Sequence, residues 1–223
     1  MRKTGEVRSG DGSAASVNSI LTNSSFVEAQ MRFSRTALVF IAVPFALGAQ
    51  QSPANPITTV LKQRTMAYQQ RLAQAFDSIP AGLLGYKPTP AQLTIGYIAQ
   101  HLADDTYYYC NQFGSMKAQR AAEETTTPDS VKAKWPKDKL VSQLKQSFKF
   151  CEDAYAQLDD AKLADQTTMT LGNGQTRTVT RASAVIGHLT DMVDHYSQLA
   201  NYMRLNNILP PTALPRPRPA GAD

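Results

Sequence analysis

The chain is poor in the residues that most often carry chemistry. It has two cysteines and one tryptophan, and only three histidines, among 223 residues. Two cysteines are too few for a disulfide-built scaffold, and Cys110 and Cys151 form no C-x-x-C pair. The lack of C-x-x-C-H excludes a c-type haem attachment, and the lack of Glu-x-x-His pairs excludes a ferritin-like di-iron site. Neither a P-loop nor a G-x-G-x-x-G segment is present. Charge is also sparse, at 18% of residues. Of the basic excess, Arg2, Lys3, Arg8, Arg32 and Arg35 precede residue 50, against Glu6, Asp11 and Glu28. No basic run or basic-aromatic ladder remains beyond that point, so no nucleic-acid partner is expected.

The 42% hydrophobic content excludes a wholly disordered chain and supplies one core. Residues 1–30 are polar, rich in Ser, Gly, Asn and Thr, and without periodicity. Arg32 and Arg35 then precede an uncharged run from Thr36 to Leu47, followed by the small residues Gly48 and Ala49. This order of basic, apolar and small residues is that of a secretory signal peptide. The run falls short of the about 20 residues that a membrane span needs. Residues 1–30 are therefore read as an upstream extension before a start at Met31, residues 31–49 as a cleaved signal, and residue 50 as the mature beginning. The other reading is a cytoplasmic tail before an uncleaved anchor. Export to the periplasm or medium, with no membrane span after cleavage, is the expectation, and disulfides persist there.

The remainder reads as all-α, with four helices. Asn55-Pro56 opens the first, by cap-plus-Pro logic, and it runs to about Ser78. Thr89-Pro90 predicts the start of the second, which Gly114 ends. Residues 114–135 are polar and irregular, and a connection of that length implies a crossover or a functional loop. The third helix opens at Pro136 and places Leu140, Leu144, Phe148, Cys151 and Tyr155 on one stripe. Residues 167–180 alternate around Asn173-Gly174, which predicts a short β-hairpin between the third and fourth helices. The fourth helix runs from about Arg181 to Asn206. Residues 212–223 read as a Pro-rich tail outside the core.

Asp191 and His195 are one turn apart on the fourth helix, so a carboxylate and an imidazole share a face. If the second and fourth helices are antiparallel neighbours, His101 reaches the same height. His101, Asp191 and His195 then form a two-histidine, one-carboxylate set that leaves room for water. Asp105, one turn after His101, is a rival ligand. On spacing alone, the Asp191/His195 pair is equally a surface hydrogen bond. Ser183 and Ser197 read as solvated or back-bonded helical serines rather than nucleophiles. Of Tyr107, Tyr108 and Tyr109, at least one is expected in the core and one beside a pocket.

Residues 195–211, HYSQLANYMRLNNILPP, resemble the end of DinB-like proteins, where a histidine leads through Gln, Tyr and Arg to a closing Pro-Pro. The segments Tyr86–Pro90 and Ile95–Leu102 resemble the approach to that family's second helix. The resemblance spans roughly residues 57–211. It implies a four-helix bundle in up-down-down-up order within residues 50–211, often dimeric, so a homodimer is expected. It also implies a metal site with one histidine on helix two and an H-x-x-x-H pair on helix four. His101 and His195 match the first and last positions, while Asp191 stands where the family has its middle histidine. A divalent ion (zinc, nickel, manganese or iron) is expected there, with His188 behind the site or in packing.

The implied order brings Cys110 and Cys151 to similar height. They then form a disulfide or pack as two buried thiols. Two functions follow from the resemblance. One is a metalloenzyme, of hydrolase or thiol-transferase type, activating water or a thiol on an unidentified small molecule. The other is a non-catalytic bundle that binds a ligand or partner.

Overall fold

The computed structural model describes residues 54–215. The expectations for 1–30 and 31–49, and for the tail beyond 215, lie outside those residues. Helix α1, Pro56–Ser78, starts with Pro56 in its first turn. The side chain of Asn55 does not cap it. Asp160 does so from a distant part of the chain, its two carboxylate oxygens accepting from Ile57 N at 3.1 Å and Thr58 N at 2.7 Å. Asn55 Oδ1 in turn accepts from Asp160 N at 3.2 Å, so the two residues brace each other.

Helix α2 spans Ile95–Cys110 and is capped by Thr94, whose hydroxyl accepts from Tyr97 N at 3.2 Å. The expected start at Thr89-Pro90 is corrected: Gln92 N bonds Thr89 O in a turn, and the helix opens at the next threonine. Its end is corrected too, from Gly114 back to Cys110, with Asn111 as the cap. The crossover is not irregular throughout. It holds two short helices, α3 (Ala122–Thr126) and α4 (Asp129–Lys132). The crossover passes tight against the start of α2, where a side chain at Gly96 would run into the Ala133 carbonyl.

Helix α5, Lys137–Tyr155, buries the expected stripe, and Tyr155 OH meets Thr65 Oγ1 at 2.7 Å across the core. Strands β1 (Gln166–Thr170) and β2 (Thr176–Thr180) pair antiparallel, Gln166 opposite Thr180. Gly174 N bonds Leu171 O in the turn, and Gly174 takes φ 79°, a left-handed conformation that favours glycine. Helix α6, Arg181–Leu205, follows β2 with no intervening loop, and Thr180 caps it. A 3-10 turn at Pro211–Ala213 packs back on α6, with Tyr196 OH donating to Thr212 Oγ1 at 2.9 Å.

The core has two parts. The larger gathers Leu72, Phe76, Ile98, Leu102, Leu144 and Leu199 from α1, α2, α5 and α6. The smaller gathers Phe113, Tyr155, Met169 and Val185 around Cys110 and Cys151. These two cysteines are bonded as a disulfide, with their Cα atoms 5.2 Å apart. Among the described residues, no helix is long and apolar enough to cross a membrane.

Candidate metal centre

Helix α2 contributes His101 and Asp105, which share one face because they are a turn apart. Helix α6 contributes Asp191 and His195 on the same principle. Packing of α2 against α6 brings the two faces together. His101 Nε2 lies 3.5 Å from Asp191 Oδ1, and His195 Nε2 lies 3.4 Å from the same oxygen. The two imidazole rings meet edge to face with centroids 4.7 Å apart. One donor atom from each of His101, Asp191 and His195 falls within 4.8 Å of the others. The three residues that the spacing singled out are thus adjacent. His195 lies deepest, its side chain 8% exposed, while the side chains of Asp191 and His101 keep 18% and 28%.

Burial alone would raise the Asp191 carboxyl. Hydrogen bonds and charge from His101 and His195 outweigh it and hold the group below the usual carboxylate range. His101 is raised, chiefly by its hydrogen bond to Asp191, against the opposing effect of burial. The set is therefore an ionised carboxylate between two imidazoles. Asp191 Oδ2 and His195 Nδ1 are buried without a hydrogen-bond partner. A bare carboxylate oxygen beside two converging Nε2 atoms is a donor set that suits a divalent cation. Tyr97 stacks on His101 from the preceding turn, with centroids 6.2 Å apart.

Asp105, the rival ligand, touches the set from its open side, with Oδ2 3.6 Å from His101 Nε2. Burial pushes its carboxyl up to about 6, with His101 pulling the other way. Beyond it opens a polar cleft of about 510 Å³, lined in part by Asp105, Tyr108, Arg120 and Lys132. Arg120 and Lys132 both bind Asp104, which ties the crossover to α2. That wall was not anticipated, because it joins residues 16 and 28 positions apart through a segment without periodicity.

His188 does not join this set. Its ring is fully buried beside the disulfide, so the packing alternative describes it. The serines behave as expected: Ser197 Oγ donates to Val193 O at 2.9 Å, and Ser183 serves the cap of α6. Tyr107 is buried under the Arg120 guanidinium, and Tyr108 lines the cleft.

Residues 65–199 match the DinB superfamily. The chain belongs to that family. None of the curated proteins matches it. Among solved structures, a DinB-like protein from Bacillus cereus ATCC 10987 is similar at 13% identity and a TM-score of 0.53. That match covers 68% of this chain and 93% of the other. A mycothiol-dependent maleylpyruvate isomerase is similar at 11% identity and a TM-score of 0.51, over 64% of this chain and 60% of that one. At these identities the likeness is one of fold.

Proposed function

We propose that this DinB-superfamily chain is an exported metal-dependent enzyme, of hydrolase or thiol-transferase type, acting on a small molecule. The observation that carries the reading is the convergence of His101 Nε2 and His195 Nε2 on Asp191, whose second oxygen is buried and unpartnered. In this reading His101, Asp191 and His195 hold zinc, nickel, manganese or iron. A divalent ion so held would bring the pKa of a water to near neutrality and would hold a thiol as its thiolate. The carboxylate in place of an imidazole adds oxygen character and shifts preference away from the softest ions.

The chain's own residues then have distinct tasks. Before an ion binds, Asp191 Oδ1 holds both imidazoles in place through their Nε2 atoms, which would turn to the metal once it is bound. Tyr97 restrains the His101 ring. The cleft beyond Asp105 offers a small substrate both carboxylates and cations to bind. The name of the similar isomerase supports keeping a thiol beside water as the activated group.

Export is supported by the residue pattern at 31–49 and agrees with an oxidised Cys110–Cys151 pair. The up-down-down-up order is supported by three pairings. Asp77 at the end of α1 meets Lys137 at the start of α5, Cys110 at the end of α2 meets Cys151 late in α5, and His101 then Cys110 along α2 meet His195 then His188 in the reverse direction along α6. A homodimer remains the assembly to test by sedimentation.

The non-catalytic alternative has one observation in its favour. The Asp191 carboxylate already pairs with the Nε2 atoms of both imidazoles without an ion. Metal analysis of the purified, non-reduced chain separates the two readings. One divalent ion per chain is expected. Replacing a ligand, as in His195→Ala or Asp191→Ala, should weaken it by more than about 100-fold, beyond the usual cost of losing an outer partner. His188→Ala should change it only slightly. No stoichiometric ion in the unmutated protein, or loss on His188→Ala with retention on Asp191→Ala, overturns the assignment.

A further inference from the structure

The smaller core contains a second group of ligating side chains that the proposed active site does not use. Cys110, Cys151 and His188 are each at 0% exposure, and one donor atom from each falls within 4.8 Å of the others. His188 Nδ1 lies 3.7 Å from Cys110 Sγ and 3.7 Å from Cys151 Sγ. The other ring nitrogen, Nε2, lies 3.2 Å from Thr106 Oγ1.

The tautomer follows from Thr106. Its hydroxyl proton is committed to Leu102 O, at 2.6 Å, so Oγ1 can only accept from His188. Nε2 therefore carries the proton, and Nδ1 presents a bare lone pair to both sulfurs. Burial, which outweighs the distant Asp191 charge, pushes the imidazole down to about 4 and keeps it neutral near pH 7. Disulfide sulfurs carry no proton, so neither 3.7 Å approach is a hydrogen bond. In the oxidised protein a fully buried acceptor is left without a donor, which is uncommon and costly.

We propose that Cys110, Cys151 and His188 form a redox-gated zinc site, closed while the disulfide is intact and formed when it is reduced. This inference is independent of the His101–Asp191–His195 assignment. Ligands on a tetrahedral zinc, with bonds of about 2.3 Å to sulfur and about 2.0 Å to nitrogen, stand roughly 3.6 Å apart. Nδ1 already stands at about that distance from each sulfur. The sulfurs need only separate, on side chains whose Cα atoms are 5.2 Å apart. Thr106 supplies the outer hydrogen bond that fixes the tautomer of a metal-bound histidine.

Charge favours zinc over copper(I). Two thiolates, a neutral imidazole, a water in the fourth position and Zn²⁺ sum to zero in the buried core, whereas copper(I) leaves a buried negative charge. The chemistry balances with a small thiol as reductant. Two thiol molecules are oxidised to one disulfide while the Cys110–Cys151 bond takes up two electrons and two protons. Zinc then displaces both thiol protons, and Nδ1 contributes its lone pair without losing a proton.

The test uses the full chain carrying His195→Ala, which removes the first site. The disulfide is reduced with a phosphine in mild denaturant and the chain returned to buffer with cobalt(II) as the spectroscopic probe. One cobalt per chain with a thiolate-to-cobalt charge-transfer band is expected. The band should be absent from the oxidised protein, and zinc should abolish it by displacement. Adding His188→Gln should weaken cobalt binding at least tenfold. Should that variant not fold, the nitrogen-15 resonance of His188 Nδ1 in the reduced, otherwise unmutated chain provides the second reading, and it should shift on adding zinc. No band in the reduced chain overturns the proposal. So does unchanged affinity in His188→Gln, an unmoved Nδ1 resonance, or a reduced chain that neither folds nor refolds with zinc.

Discussion

His188 and His195 sit on one helix, seven residues apart and facing the same side, yet they live in different chemistry. Around His195 the neighbours are a carboxylate, a second imidazole and a polar cleft. Around His188 they are two sulfurs, Thr106 and the rings of Tyr109 and Phe113. The first environment collects charge and meets solvent. The second excludes both and holds its imidazole neutral. The lesson is that spacing on a helix nominates a residue, and the element packed opposite decides what it does. Opposite His195 stands His101 in the first half of α2, and opposite His188 stands the end of the same helix with its cysteine.

The sharpest way to break the sulfur end is to remove the bond. The cysteines are 41 residues apart, and closing a loop of that length is worth about 4 kcal/mol in the loop-entropy model. The Cys110→Ser/Cys151→Ser pair should lower Tm by about 10 °C by calorimetry in the absence of zinc. The same pair should leave metal content at His101–Asp191–His195 unchanged. A loss of that ion would show that the two ends of α6 are not separable.

Protonation should pull the two ends in opposite directions. His188 falls from 6.5 to about 4 on folding, so the unfolded chain binds its proton first as pH drops. Its contribution is complete above pH 6.5 and is lost progressively as pH falls toward about 4, up to about 3 kcal/mol in all. His101 is raised, so its contribution in the metal-free chain is complete below 6.5 and is lost as pH rises through its folded value. Denaturant titrations between pH 4.5 and 8 on metal-free protein should show the acid-side loss flattened in His188→Gln and the alkaline-side loss flattened in His101→Gln. Equal slopes in both variants would erase the distinction.

The smallest expected effect tests whether α6 can be weakened without touching either cluster. Thr180 accepts from Ser183 N at 3.2 Å as the cap of that helix. Thr180→Ala should cost about 1 kcal/mol and lower Tm by a few degrees, with metal affinity unaltered. A parallel loss of metal would mean that the cap also positions Asp191 and His195.

Much of this comparison was legible before the structure. The starts of α1 and α5 were readable because Pro56 and Pro136 mark them, and the hairpin because Asn173-Gly174 interrupts alternating threonines. The start of α2 was not, because Thr89-Pro90 carries a stronger local signal than Thr94, yet Thr94 supplies the hydroxyl that caps the helix. Helices α3 and α4 have five and four residues, too few for a period to show. The Asp191/His195 pair lay in local spacing. Its meeting with His101 depended on which helices neighbour one another, and the family resemblance supplied that. The Asp104 bridge to Arg120 and Lys132 joins α2 to an aperiodic crossover, so no pattern announced it.

The direct junction of β2 with α6 gives the hairpin a rotational role. Strand pairing fixes the last residue of β2, Thr180, opposite Gln166, and the helix begins at the next residue. Each residue of an α-helix turns the chain by about 100°. The register of the small sheet therefore sets the angle at which every side chain of α6 leaves its axis. Residues added at the tip, between Leu171 and Gln175, can bulge outward and leave that angle alone. One residue added between Val179 and Arg181 would swing the His188 and His195 face by more than a quarter of a turn, away from both α2 partners at once.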